Sequence, residues 1–307
     1  MNALFIAGFA LAQAAGTQAT PPMGGGQAPE LDIHQMSLTR PGLVRAGTGF
    51  TDTATGRELT LAQVAQMARG KRFVLVGEQH DDAAHHQTQA DVIRALREDG
   101  RWVSVGLEMF TRDNQANMFP WTTGRWSEAE FIERAQWKTQ WGFDYAIYRP
   151  IFEEVRQNRM PMFALNVPRQ WIREVGRQGP AVLDTPERRA WVPPLDLTHA
   201  RHQSLFWGMM GGHPSGADQT RAQNTYAAMV AWDTGMARSA IDAMATRTSP
   251  RHTMVIIAGN GHAYHDLGIN LRLRQQGESE IFTIICLPKG APSEVSRGIG
   301  DVVWRAP

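Results

Sequence analysis

Two stretches decide the fold: FVLVGEQHDDAAHH, from Phe73 to His86, and MVIIAGNGHAYH, from Met254 to His265. Each runs through unbroken apolar residues, breaks at a glycine and reaches a histidine three positions later. Strands that are apolar on both faces, with no alternation, read as parallel strands covered from both sides. Trp102–Leu107, Pro161–Leu165 and Ile281–Cys286 have the same character. Helix-like segments lie between them, at about 60–69, 83–98, 148–159, 168–178, 218–246 and 265–275. The alternation predicts an α/β fold: a mostly parallel central sheet covered by helices.

Two stretches break that rhythm. Residues 110–147 carry Trp121, Trp126, Trp137, Trp141, Phe110, Phe119, Phe131 and Phe143 with no strand among them. Residues 185–215 hold Pro193-Pro194 and then HARHQSLFWGMMGGH. Both read as helical insertions forming a cap subdomain over the sheet. The organisation expected is a segment 1–30 before the fold, one α/β domain over 40–290 with its cap insertions, and a C-terminal tail over 291–307.

Composition limits the function. The 307 residues hold 31 Lys and Arg against 30 Asp and Glu, a formal charge of +1. That balance argues against general nucleic-acid binding, which needs a concentrated cationic excess. The single cysteine, Cys286, rules out a disulfide framework, a Cys-rich zinc site and an iron–sulfur cluster within one chain. It ends an apolar run and reads as an inert buried thiol. The apolar run from Ala3 to Ala12 is too short to cross a membrane, and Ala10-Leu11-Ala12 fits a secretory cleavage rule. The expectation is a signal peptide and a periplasmic or secreted protein, not lipid-anchored through an N-terminal cysteine.

Ligands of open α/β sheets bind beyond the carboxyl ends of the strands. Directly after the apolar runs stand Glu78 and His80, then Glu108, Asn166 and His262. Glycine lets the chain turn there and the histidine points back over the sheet edge. Glu78, His80, Glu108 and His262 offer two imidazoles and two carboxylates. Such a set suits a divalent cation, or a water held for general-base attack with a carboxylate fixing the imidazole tautomer. The residue types alone leave both open.

His85 and His86 follow Asp81 and Asp82, one of which should cap a helix; the positive helix end favours neutral rings. His199 and His202 lie one helical turn apart, ahead of Phe206, Trp207, Met209 and Met210, a stripe suited to cap core or to a flat apolar ligand. Tyr145, Tyr148 and Tyr264 carry phenol oxygens of a type that ligates haem iron. His34 and His252 look peripheral.

Taken in order, VGEQHDDAAHHQTQADVIRAL, VGLEMFTRDNQ, YRPIFEEVRQNRMPMFALNVPRQWIREVGRQG, AWDTGMA and IIAGNGHAYHDLGINLRL resemble the ChaN-like haem-binding uptake family, from about Phe73 to Leu273. More distantly they resemble the superfamily of Tiki/TraB proteases and erythromycin esterases, whose paired Gly-x-x-His motifs and glutamate correspond to Gly77, Glu78 and His80, to Glu108, and to Gly259 and His262. The resemblance implies an α/β core with a helical cap and haem bound between them, with haems stacked across a homodimer in bacterial iron acquisition. It also implies outer-membrane haem uptake machinery as a partner. His85, His86, Tyr145, Tyr148 and Tyr264 are the candidate haem contacts, and a lipobox cysteine common in relatives is missing. The function expected is therefore haem binding. The alternative is a metal-dependent or His-based hydrolase using Glu78, His80, Glu108 and His262.

Overall fold

The computed structural model describes residues 32–212 and 219–307; the expected signal segment and His213 lie outside them. Ten strands form. The five foreseen are β4 (Phe73–Glu78), β5 (Trp102–Thr111), β6 (Met162–Asn166), β7 (His252–Gly259) and β8 (Ile281–Cys286). The other five are short: β1 (Leu43–Arg45), β2 (Gly49–Asp52), β3 (Glu58–Leu59), β9 (Glu294–Ser296) and β10 (Val302–Arg305). Strands of two to four residues carry too little periodic pattern to be read from sequence.

The main sheet runs in the order β3-β2-β10-β8-β4-β7-β5-β6. From β10 to β6 every pairing is parallel, while β2 and β3 join as an antiparallel margin. Beside it β1 and β9 make a small antiparallel pair. The mostly parallel α/β sheet is thus as expected, but the stretch 291–307 is not a tail. Its β10 sits inside the sheet between β2 and β8, and Val302 and Val303 are fully buried there.

Along the central strands, alternate residues supply two cores. Val74, Val76, Val105, Leu107, Val255 and Ile257 face one side; Phe73, Leu75, Met254 and Ile256 face the other. The first side is covered by α1 (Leu61–Met67), by α2 (Ala83–Glu98), by the short helices α3 (Met118–Thr122), α4 (Glu128–Arg134) and α5 (Trp137–Gln140), and by α6 (Tyr145–Gln157). Thr60 and Gln63 form a capping box that starts α1. Asp82, the second of the two expected caps, accepts from the Ala84 and His85 amides at the start of α2.

The insertion 110–147 is helical, and its aromatics are core. Phe110, Trp121, Phe131 and Trp137 are buried against one another and against Phe152, and Trp141 is buried against Phe143 and Tyr148. Phe119 is the one large aromatic of that group standing in solvent. Packing therefore accounts for most of the tryptophan surplus, since buried aromatic pairs stabilise through contact area and ring geometry.

The remaining helices are α7 (Arg169–Gln178), α8 (Pro186–Trp191), α9 (Ala200–Met209), α10 (Gln219–Met244) and α11 (Ile269–Gln275). The long α10 lies close to the second face because small residues line it. A Cβ on Gly235 would stand 2.3 Å from Val167 Cγ1, so only glycine allows this approach. That closeness carries one acid of α10, Asp233, under the strand ends.

Candidate functional site

β7 inserts between β4 and β5, so the two Gly-x-x-His motifs end on neighbouring strands, with Glu78 opposite Gly259 in register. The glycines do not serve the sharp turn expected of them: Gly259 has φ −57 and ψ 145, an ordinary conformation. They serve clearance. A Cβ on Gly259 would meet His80 Cε1 at 2.7 Å, and one on Gly77 would meet Asn260 Oδ1 at 2.2 Å. Each motif's glycine thus makes room for the other motif's polar side chain.

Two carboxylate–imidazole systems result. In the first, Glu78 Oε1 lies 2.8 Å from His80 Nδ1 and accepts from the Tyr148 hydroxyl at 2.6 Å. Its Oε2 accepts from Gln89 Nε2 at 2.9 Å and lies 3.4 Å from His86 Nε2. In the second, His262 bridges two acids. Its Nδ1 is 2.6 Å from Asp233 Oδ1 and its Nε2 is 3.3 Å from Glu108 Oε1. The other Glu108 oxygen accepts the Gly259 amide at 2.7 Å. Behind Asp233, His202 Nε2 stands 3.7 Å from Oδ2, and Arg272 contacts His202 Nδ1 at 3.0 Å.

Apart from the partly exposed His80 all of this is buried, with Glu78, Asp233 and His202 wholly inaccessible. Burial works against the charged forms, and the partners decide the outcome. For Glu78 burial is overcome by His86 and His80, which hold the carboxyl well below its usual range. For His262 burial is overcome by Glu108 and Asp233, and the imidazole is pushed up to about 10. Burial dominates at Asp233, raising its pKa, and at His202, which falls to about 3. His80 is raised: burial alone would lower it, but the Glu78 hydrogen bond and the Glu108 and Glu78 charges prevail.

The four residues foreseen for a divalent ion come together, but not as ligands of one point. Among the described residues no group of three His, Cys, Asp or Glu side chains is arranged to hold a metal ion. The carboxylate oxygens turned towards the imidazoles are paired with them, so the geometry described is a pair of acid–imidazole systems.

The five side chains foreseen as haem contacts are all buried. His85 accepts from the Gln79 amide at 2.9 Å and reaches the Leu287 carbonyl at 3.2 Å, so both ring nitrogens are used. Burial lowers its pKa, in keeping with the neutral ring expected. His86 stacks on Tyr148 with centroids 3.7 Å apart. Tyr145 stacks on Phe152 and its hydroxyl is buried; Tyr264 lies 3.1 Å from His34 Nε2. His34 is buried rather than peripheral, whereas His252 is partly exposed beside Trp102. Cys286 is buried, and burial raises its thiol pKa well above the usual value, as an inert thiol requires.

Asp233, Gln89 and the Glu78 contact of Tyr148 were not foreseen. A lone acid amid Val230-Ala231-Trp232 and Thr234-Gly235-Met236 was the only local signal for Asp233. Its partner is 29 positions away.

The family model described as haem-binding uptake, Tiki superfamily, ChaN matches residues 64–273. No curated protein matches. Among solved structures, ChaN of Campylobacter jejuni, described with cofacial haem binding, aligns at TM-score 0.66 and 15% identity over 85% of this chain and 97% of that one. The type III effector HopBA1 aligns at TM-score 0.46 and 8% identity, covering 80% and 92%. A mutant erythromycin esterase, EreC, in its open conformation aligns at 0.45 and 14%, covering 78% and 76%. Among the described residues no helix is long and apolar enough to cross a membrane.

Proposed function

This chain belongs to the haem-binding uptake family of the Tiki superfamily that includes ChaN, and from that premise we propose that it binds haem in bacterial haem and iron acquisition. Haem iron needs a nitrogen, oxygen or sulfur that it can reach. Tyr145, Tyr148, Tyr264, His85 and His86 do not fit that need, because each is buried. His80 is partly buried, its ring set against Trp141 and Phe143.

His199 fits. It caps α9, its Nδ1 accepting from the His202 amide at 3.3 Å, and no described residue bonds its Nε2. Gln203 and Trp207 follow at four-residue spacing on the same face, and Met210, exposed, ends it. Trp207 stands about 12 Å along the helix from His199, a separation on the scale of a flat macrocycle. The observation that carries the assignment is this imidazole nitrogen, unbonded among the described residues, at the head of a helix face that bears Trp207 and Met210, in a chain of a haem-binding family. When bound, haem would supply an iron centre held by His199. A homodimer, export to the periplasm and delivery to or from outer-membrane uptake machinery belong to the same reading.

Titration of the purified protein with haemin tests it. A saturable Soret shift is expected, lost in His199→Asn, which keeps helix-capping ability while removing the imidazole. Absence of a saturable shift in the unaltered protein overturns the reading.

A further inference from the structure

Between the end of α3, the start of α4 and the end of α6 lies a cavity of about 480 Å³, within the size range of small-molecule sites. Neither His199 nor any strand-end residue lines it. Trp121 lies at its base, and Glu153, Arg156 and Arg159 line the α6 side.

The base is rigid. The Trp121 indole stacks on Phe131 with centroids 4.8 Å apart, and its Nε1 donates to the Phe152 carbonyl at 3.0 Å. Arg156 lies over the same ring at 4.6 Å. Glu153 precedes Arg156 by three positions on α6, a spacing at which opposite charges ordinarily pair. Here the indole holds the guanidinium instead. Neither side chain forms a hydrogen bond or ion pair with a described residue. Arg159 follows α6 in the left-handed region, φ 49, with the Met160 amide donating back to the Val155 carbonyl at 2.9 Å. That position favours glycine. Arginine bears a steric penalty there, and its side chain lines the cavity without a partner among the described residues. Glu128, also in the lining, differs: Arg149 donates to both its oxygens at 2.9 Å. Two guanidiniums and one carboxylate therefore stay unpaired at the cavity, one positive charge in excess.

We propose that this cavity is a second binding site, for an amino dicarboxylate: a small molecule with two carboxylates and one ammonium group. Arg156 and Arg159 each take a carboxylate, because a guanidinium presents paired N–H donors that match carboxylate oxygens. Glu153 takes the ammonium. Such a ligand carries a single net negative charge and complements the excess at the cavity. A phosphate dianion meets the like charge of Glu153 and leaves that carboxylate unpaired.

Isothermal titration calorimetry of the haem-free protein with L-glutamate tests this, and the haemin titration stands or falls separately. Saturable binding is expected. Arg159→Gly should weaken it about tenfold without lowering the melting temperature, because glycine suits the left-handed position. Arg156→Gln should weaken it to a similar degree. The unaltered protein should prefer L-glutamate to glutarate, which lacks the ammonium group, and Glu153→Gln should reverse that preference. No saturable heat with L-glutamate overturns the proposal. So does equal affinity for inorganic phosphate, or an Arg159→Gly variant that binds as well as the unaltered protein.

Discussion

His262 Nδ1 lies 2.6 Å from Asp233 Oδ1 while its Nε2 faces Glu108, so one buried imidazolium joins helix α10 to strand β5 across the end of β7. The proton it carries in the fold is held up to about pH 10. Below about 6.5, folded and unfolded chains both carry it, and the stabilisation is fully present. It is lost as pH rises through 10. His262→Gln leaves two buried carboxylates unpaired and should cost roughly 3–5 kcal/mol at pH 7. Urea unfolding at pH 7 and pH 10 should show the gap from the unaltered protein narrowing at the higher pH. A gap independent of pH would refute this account.

Gly259→Ala introduces a methyl 2.7 Å from His80 Cε1 and 3.0 Å from Nε2. The ring must move, and overpacking of this kind costs about 1–3 kcal/mol. The imidazole resonances of His80 should shift and its pKa fall towards the ordinary value as the Glu78 contact loosens. Unchanged resonances would mean that the glycine is not there for clearance.

Tyr145 buries its hydroxyl with no hydrogen-bond partner among the described residues. Leaving such a group unpaired costs about 1–3 kcal/mol, so Tyr145→Phe should raise the unfolding free energy, and the haemin titration should be unaltered. Loss of the Soret shift in this variant would return Tyr145 to the iron.

Deleting residues 302–307 removes β10, with Val302, Val303 and Trp304, and uncovers β8 and β2 along their lengths. Cooperative thermal unfolding followed by circular dichroism should be lost. A truncated chain that melts like the whole one would show that β10 is dispensable.

The sheet's central strands were legible because their apolar runs have a local cause: a parallel strand covered on both faces must be apolar throughout. The same logic located Glu78, His80, Glu108 and His262, since residues after such runs stand at the strand ends. The margin strands β1, β2, β3, β9 and β10 escaped because two to four residues carry no resolvable period and their partners are distant in the chain. For His85, His86, Tyr145, Tyr148 and Tyr264, residue type suggested iron ligands, but accessibility decides that role. Accessibility is set by packing rather than by residue type.

By itself the sequence determined the strand runs, their polar ends, the lack of a cysteine framework and the family that those motifs resemble. Only the tertiary structure decided that β7 lies between β4 and β5, which makes Gly77 and Gly259 mutual clearances and brings His80 beside the second motif. It alone placed Asp233 under His262 and left His199 partly exposed. Local pattern reports whether a residue faces core or water, whereas these pairings join segments far apart in the chain. They exist only once the strand order and the close approach of α10 at Gly235 are fixed.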